Sequence, residues 1–181
     1  MLKTARLNIR ELDLEDLNNV HQLHSLPETD EFNTLGIPET IRETEKLLTE
    51  WINEKGRQPR KVYVFAIDLN DGGQFIGLIA IKLGKEKYKT AEVWFKVHKD
   101  FWRKGYTTEA LMALLDFGFN QLALHRIEAD CAVDNIASGR VLEKVGMTRE
   151  GMKRKILPIR GEWKDNYFYA ILEDDFNGKI Q

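Results

Sequence analysis

Apolar and polar residues change period along this chain, and each change marks an element. From Thr4 to Leu12 the side chains alternate, with Leu7 and Ile9 set between Arg6, Asn8 and Arg10, which predicts a strand with one polar face. Leu14, Leu17, Val20, Leu23 and Leu26 then recur at helical spacing. Asp13 is placed to cap that helix, Asp16 falls in its first turn where the dipole favours an acid, and Pro27 is expected to end it. Glu28 to Gly36 reads as a polar loop that lines a cleft, and Pro38 to Glu54 as a second amphipathic helix with Ile41, Leu47, Leu48, Trp51 and Ile52 on its apolar side. After a basic linker from Lys55 to Lys61, three β-branched and aromatic runs follow: Val62 to Leu69, Phe75 to Leu83 and Thr90 to Val97. Asn70-Asp71-Gly72-Gly73 and Gly84 to Lys89 are the turns between them, so the three runs form an antiparallel meander. Gly77, inside the second run, marks a bulge or a close backbone contact.

The second half alternates element types. Ala110 to Leu122 is apolar on nearly all sides, as a helix buried against a sheet must be. Arg126 to Val133 alternates Ile127, Ala129, Cys131 and Val133 with Glu128, Asp130 and Ala132. Asn135 caps a helix that carries Val141, Leu142 and Val145 and stops at Gly146. Met147 to Leu157 and Trp163 to Leu172 are the last two strands, joined by a turn at Arg160-Gly161-Glu162, and Glu173 to Gln181 is a polar tail. The order is β-α-α-β-β-β-α-β-α-β-β. The buried helix is a crossover, so the strands on either side of it run parallel and the rest run antiparallel. The expected fold is α/β (α+β): a mixed, mostly antiparallel seven-stranded sheet with one splayed parallel pair and about four helices. No repeat or low-complexity segment divides residues 1–181, which are read as one domain.

Composition adds mainly exclusions. With 27 basic and 29 acidic residues the net charge is −2, which gives no electrostatic case for nucleic acid or a membrane as partner. The single cysteine, Cys131, cannot form an internal disulfide or a cysteine-rich metal site, and sits on an alternating strand as a core residue. The sequence has no His-Glu-x-x-His and no paired His/Cys spacing, so no metal is expected. Met1 to Arg6 lacks the apolar core of a signal peptide, and no apolar run approaches the roughly 20 residues of a membrane span. A cytoplasmic protein is the expectation.

Two stretches carry chemistry. Phe101 to Ala110 breaks a strand at a glycine and opens directly into a helix, which exposes free N–H groups at the positive end of a dipole, an arrangement suited to phosphate. The turn lacks the Gly-Lys-Ser/Thr of a P-loop and the Gly-x-Gly-x-x-Gly of a dinucleotide site. From local sequence, Gly105 as a turn-former and Gly105 as part of an anion site stand even. Asp134 to Ser138 opens the helix after the next strand, so Asn135 faces the first turn across the gap between the parallel strands. Asn135 as a plain cap and Ser138 as a solvent-facing serine are the simpler readings.

Those same stretches resemble the GCN5-related N-acetyltransferases, in the branch of the bacterial ribosomal-protein N-terminal acetyltransferases. The resemblance rests on Thr4 to Arg10, Phe101 to Ala110, His125 to Ala129, Asn135 to Ser138, Val141 to Met147, Arg149 to Gly151 and Gly161 to Asp165, and spans nearly the whole chain. It implies an enzyme that transfers an acetyl group from acetyl-CoA to a primary amine by direct attack in a ternary complex. It implies that backbone amides from Arg103 to Thr108 (Arg103, Lys104, Gly105, Tyr106, Thr107, Thr108), after Trp102, hold the pyrophosphate. The pantetheine arm would lie along Glu92 to Val97, Asn135 would bond it, and Ser138 would protonate the departing thiolate, with an amide near Val97 stabilising the oxyanion. The loop departs from the family pattern at Thr107, and the branch often has Gly where Arg103 stands. Gly139 stands inside a helix where the branch commonly has Arg, at about 1 kcal/mol relative to Ala.

The general base is open. The position of a family glutamate falls on Leu157, which cannot serve; Glu92 is the first substitute, with Glu162 or a water chain behind it. His98 and His125 have no partner acid at a telling spacing and read as structural, and Arg149, Lys153, Arg154 and Lys155 as a solvated face. Acceptors consistent with the resemblance are a protein N-terminus or a small amine such as a polyamine or aminoglycoside, and a homodimer is plausible from it. The rival, of a different class, is a non-catalytic CoA-binding or regulatory module.

Overall fold

In the computed structural model, which describes residues 1–178, the strands form a single eight-stranded sheet. Its strands are β1 (Leu2–Lys3), β2 (Leu7–Glu11), β3 (Val62–Leu69), β4 (Phe75–Leu83), β5 (Thr90–Val97), β6 (Arg126–Ala132), β7 (Thr148–Ile159) and β8 (Glu162–Leu172). The spatial order is β1-β2-β3-β4-β5-β6-β8-β7. Among the described strands only β5 and β6 are parallel, as the crossover required. The helices are α1 (Leu17–His24), α2 (Pro27–Asp30), α3 (Ile41–Asn53), α4 (Tyr106–Asp116), α5 (Ile136–Lys144) and α6 (Glu173–Asn177).

The expected architecture is therefore present with three additions. β1 is a two-residue edge strand paired to β2, too short to leave a periodic signal. Pro27 does not merely end α1; it occupies the first position of α2, where its missing N–H costs nothing. The polar stretch after β8 begins with α6, which holds Phe176 in the core; residues 179–181 lie outside the described residues. Asp13 caps a 3-10 turn (Leu14–Asp16) that leads into α1 rather than α1 itself.

Burial follows the alternation. The odd-numbered side chains of β5 and β6, among them Ala91, Val93, Ile127 and Ala129, pack with Leu111, Leu114 and Leu115 of α4 and Leu142 of α5. The opposite face of the sheet, with Leu78 and Ala80, is covered by Val20 and Leu23 of α1 and Leu48 of α3, and Trp94 of β5 joins that side. Each fully buried aliphatic side chain contributes about 1.5–3 kcal/mol, so the two layers fix the height and tilt of β5 and β6.

Gly77 shows both features its sequence foreshadowed. The β3–β4 register shifts between Ile67 and Asp68, opposite Gly77. A Cβ there would stand 2.4 Å from the Lys96 carbonyl oxygen and 2.9 Å from Val97 Cα. The end of β5 can lie where it does only because residue 77 has no side chain.

Candidate active site

The β5–β6 ladder is short. Thr90, Ala91 and Glu92 pair with Arg126, Ile127 and Glu128, and there the pairing stops, although β5 runs on to Val97 and β6 to Ala132. The strands splay apart over those last residues. His98 N–H donates to the Ile76 carbonyl and Gly84 N–H to the Thr90 carbonyl, each at 2.8 Å. Even-numbered residues of β5 thus turn their backbone groups towards β4, and Val93, Phe95 and Val97 turn theirs into the gap. On β6, Val133 N–H donates to the Asp165 carbonyl at 3.0 Å and Glu173 N–H to the His125 carbonyl at 3.1 Å, so Asp130 and Ala132 present theirs from the other wall. The gap is an open strand edge of the kind that receives an extended, amide-bearing ligand.

At the mouth of the gap the chain leaves β5 through a 3-10 turn (Lys99–Phe101) and a tight loop. The Trp102 indole N–H donates to the Val97 carbonyl at 2.7 Å, which fixes the loop against the strand and takes that acceptor out of the gap. Arg103 and Gly105 both adopt left-handed backbone, φ 61° and 80°. Left-handed residues in such a loop curl successive N–H groups into an anion-binding concavity. Gly105 is also the N-cap of α4, and the first α-type bond there is from Glu109 N–H to the Gly105 carbonyl, 3.1 Å. The N–H groups of Tyr106, Thr107 and Thr108 precede that ladder. The branch's frequent glycine at position 103 has a physical reason here, since an L-residue at φ 61° carries about 1–2 kcal/mol of strain.

A second set of contacts holds this helix end in place. Glu109 Oε1 accepts from Thr4 Oγ1 at 2.6 Å and from Arg6 N–H at 2.9 Å, and Oε2 accepts from the Arg6 guanidinium at 2.6 Å. Arg6 also donates to the Lys104 carbonyl at 2.9 Å and covers the Tyr106 ring at 4.6 Å. The opening strand and the phosphate-type loop, read separately in the sequence, are one assembly. Partial burial would raise the Glu109 carboxyl, but the bonds from Thr4 and Arg6 and the Arg6 charge hold it below its ordinary range. That stability is present above the unfolded-state pKa and is lost as pH falls through the folded value. Glu109→Ala is expected to lower the unfolding free energy by about 2 kcal/mol at neutral pH, read from the urea midpoint at constant m.

Across the gap, Asn135 caps α5: its side-chain oxygen accepts from Ser138 N–H at 3.1 Å. The cap uses the Asn135 carbonyl oxygen and leaves its amide nitrogen to a ligand. Ser138 is half-buried in the first turn of α5. Because β5 and β6 are parallel, the loop after one and the helix after the other open at the same end of the sheet, so Val97, the loop Trp102 to Thr108, Asn135 and Ser138 share one mouth. Gly139 is explained by its surroundings: a Cβ would meet the Tyr169 hydroxyl at 3.2 Å.

Glu92 is at the other end of the splay, exposed, opposite Glu128 in the last paired step. Two residues beyond Glu128, on the same sheet face, stands Asp130. Loss of hydration pushes its carboxyl up to about 6, with the charges of Glu92 and Glu128 adding and Lys153 and Asn166 opposing. The Asp130 side chain is itself exposed at the open edge of the gap, and a carboxyl in that range there is a candidate proton acceptor. Sequence reading passed over Asp130 as an alternating polar residue of β6; the parallel register, which puts it beside Glu92 and Glu128, was the signal that would have singled it out. Leu157 pairs with Lys164 in the β7–β8 hairpin, beyond the end of the β6–β8 ladder.

The remaining candidates have local roles. His98 accepts from Asp100 N–H at 3.3 Å, and His125 lies 3.0 Å from Glu173 Oε1. Cys131 is buried, and burial pushes its thiol up to about 11, away from nucleophilic use. Of the basic residues on β7, Arg149 covers the Tyr167 ring at 4.5 Å and Lys153 the Phe168 ring at 3.7 Å. Among the described residues no cluster of three or more His, Cys, Asp or Glu is arranged around a metal position, and no helix is long and apolar enough to cross a membrane.

The sequence model of the acetyltransferase (GNAT) domain matches residues 6–148. The chain belongs to the GNAT acetyltransferase family. It is similar to the uncharacterized N-acetyltransferase YnaD of Bacillus subtilis, at 37% identity over 97% of this chain and 99% of that protein. Among solved structures, a GNAT-family acetyltransferase from Bacillus anthracis superimposes with a TM-score of 0.84 at 33% identity, covering 96% of this chain and 98% of that one. The spermidine N-acetyltransferase of Vibrio cholerae, solved with CoA and spermine, has a TM-score of 0.85 at 22% identity, over 96% of this chain and 99% of that one, a likeness of fold. The chain is an N-acetyltransferase.

Proposed function

We propose that this acetyltransferase transfers the acetyl group of acetyl-CoA directly to a primary amine, with the donor in the splayed gap and the amine approaching from the α1–α3 face. The observation that carries this reading is the pairing of two helix N-termini, α4 and α5, at the mouth of a gap lined by unpaired strand amides. The left-handed loop at Arg103 and Gly105 suits a pyrophosphate, and the open edge at Val93, Phe95 and Val97 suits the amides of a pantetheine arm. The CoA complex of the Vibrio cholerae relative supports the same donor.

In this mechanism the acceptor ammonium gives its proton to Asp130, through Glu92 or water where the reach requires it. The free amine attacks the thioester carbonyl carbon. Val97 N–H, turned into the gap, bonds the oxyanion as charge develops. The tetrahedral intermediate expels the thiolate by breaking its C–S bond, and Ser138 Oγ–H supplies the proton that leaves CoA as a thiol. Ser138 regains its proton from water. Glu92 on one wall and Asp130 on the other, on the same face of the sheet, favour a cationic acceptor, while Glu128 is paired with Arg126 at 2.7 Å. A protein N-terminal amine follows from the resemblance; a polyamine is the second reading, favoured by the same carboxylates and by the relative solved with spermine.

Amine-dependent release of CoA from acetyl-CoA, followed with a thiol reagent across N-terminal peptides and polyamines, tests the reading. Turnover on at least one class is expected. Tight CoA binding with no turnover on any acceptor would instead establish a binding module. Ser138→Ala is expected to lower kcat by about tenfold to a hundredfold with little change in acetyl-CoA affinity; unchanged kcat would remove Ser138 as the acid.

A further inference from the structure

The α1–α3 face of the gap is crossed by a short strap. α2 reaches from the exit of β5 to the tip of the β7–β8 hairpin: Glu28 pairs with Lys99 at 2.6 Å, and Arg160 lies 3.8 Å from Asp30 and donates to the Pro27 carbonyl at 3.3 Å. The Glu28–Lys99 pair is a surface contact of the kind that holds a segment only weakly, and Arg160 reaches the buried Asp30 from solvent, while Thr29 Oγ1 donates to the Leu23 carbonyl at 2.6 Å and hinges α2 on the end of α1.

Beneath the strap, and on its own Asp30, lie buried polar atoms that the fold leaves without hydrogen bonds. Lys96, His24 and Asp30 are 7%, 3% and 4% exposed, and Lys96 Nζ, His24 Nε2 and Asp30 Oδ1 make no hydrogen bond among the described residues. Lys96 is on β5, next to Val97 and two residues beyond Trp94, with its side chain on the acceptor face. Trp51 walls the cluster, 6.0 Å from the His24 ring and 5.8 Å from the Trp94 ring. Groups buried in this way disfavour the closed strap, and a ligand that bonds them favours it.

The balance of charge selects the ligand. Burial pushes the Lys96 ammonium down to about 8, which leaves it charged at neutral pH; among the described residues Asp30 is the one acid that supports that charge, and Arg160 shares it. Burial, with Lys96 and His21 adding, pushes His24 down to about 3, so it is neutral. The cluster therefore has one surplus cation and no surplus anion. Lys96 is four residues beyond Glu92 and Asp130 two beyond Glu128, and Glu92 and Glu128 are in register. The backbone positions of Lys96 and Asp130 are thus offset by roughly 7 Å along the strand direction, on the two sides of the splay.

We propose that Lys96 anchors an acceptor subsite under α2 that takes a carboxylate carried by the amine substrate a few bonds from its amino group, as in an N-terminal residue followed by an acidic one. The subsite rests on the acetyl-transfer reading for its amine end. It makes Lys96 a specificity residue and α2 the segment that opens to admit the acceptor and closes on it.

The test uses two acceptors of one shape, Ala-Glu-amide and Ala-Gln-amide, with the wild type and Lys96→Met. In the wild type kcat/KM for the acidic dipeptide is expected to exceed that for the amide by at least about tenfold, carried by KM, and in Lys96→Met the ratio falls to about one. A second readout needs no turnover: with CoA present, Ala-Glu-amide raises the melting temperature of the wild type and not of Lys96→Met. A wild-type ratio near one, a ratio unchanged in Lys96→Met, or a melting shift equal for both dipeptides overturns the subsite. If neither dipeptide is acetylated although CoA binds, the acetyl-transfer reading fails on these acceptors, and the melting shift still decides the subsite.

Discussion

Gly105→Val is expected to weaken acetyl-CoA binding by about a hundredfold, close to 2.7 kcal/mol, while leaving the far-ultraviolet circular dichroism of the folded protein intact. Gly105 has φ 80°, where a β-branched residue is a genuine outlier, and a Cβ at this position would stand 3.3 Å from the Arg6 guanidinium. The backbone relieves that strain by leaving the left-handed region, which turns the amides of Gly105 and Tyr106 away from the anion. Arg6 is displaced in the same step, and with it the bond to the Lys104 carbonyl. Gly105→Ala carries the strain without the branching and should lose about tenfold. Isothermal titration with acetyl-CoA reads both. Unchanged affinity in a folded Gly105→Val protein would show that the pyrophosphate lies elsewhere.

Asp130→Asn is expected to lower kcat by roughly a hundredfold to ten-thousandfold, the range for loss of a positioned general base. The pH profile separates this from a structural effect. A base pushed up to about 6 is ionised above that pH and protonated below it, so wild-type kcat/KM should fall as pH drops through about 6. In Asp130→Asn that acid limb should disappear. Stability should move the other way. A carboxyl whose folded pKa is raised favours the fold below its unfolded pKa and loses that advantage as pH rises through the folded value. At pH 7 the neutral asparagine is free of that cost, and the variant should melt no lower than the wild type. Activity within a few-fold of the wild type, with the acid limb intact, would return the role of base to Glu92 or to water.

What could be read from the sequence was what is local. The alternation around Leu7 and Ile9 and along Arg126 to Val133 reports the faces of β2 and β6 because a half-buried strand has no other way to pack. Gly105 and Asn135 were legible because a left-handed N-cap and a side-chain cap are decided within a few residues. The short elements escaped: β1 has two residues and α2 four, and α6 shows only Phe176 to the core. The end of β7 escaped too, because a register shift between Lys153 and Leu157 breaks the alternation before the strand ends at Ile159, while the turn at Arg160-Gly161 that follows is local and was legible. Asp130, Lys96 and Glu109 owe their properties to residues far along the chain, so their spacing alone could not announce them. For Lys96 the clue was present in weak form, a lone cation inside the run from Thr90 to Val97.

A crystal structure of the protein with CoA tests the assignment of the splayed gap most directly. The pyrophosphate should accept hydrogen bonds from backbone amides between Arg103 and Thr108, and the pantetheine amides should pair with the strand edge at Val93, Phe95 and Val97. Asn135 should touch the arm, and the thiol should end between Ser138 and Asp130. CoA bound with its pyrophosphate away from the Gly105 loop, or with its thiol on the far side of β6 from Asp130, would contradict it.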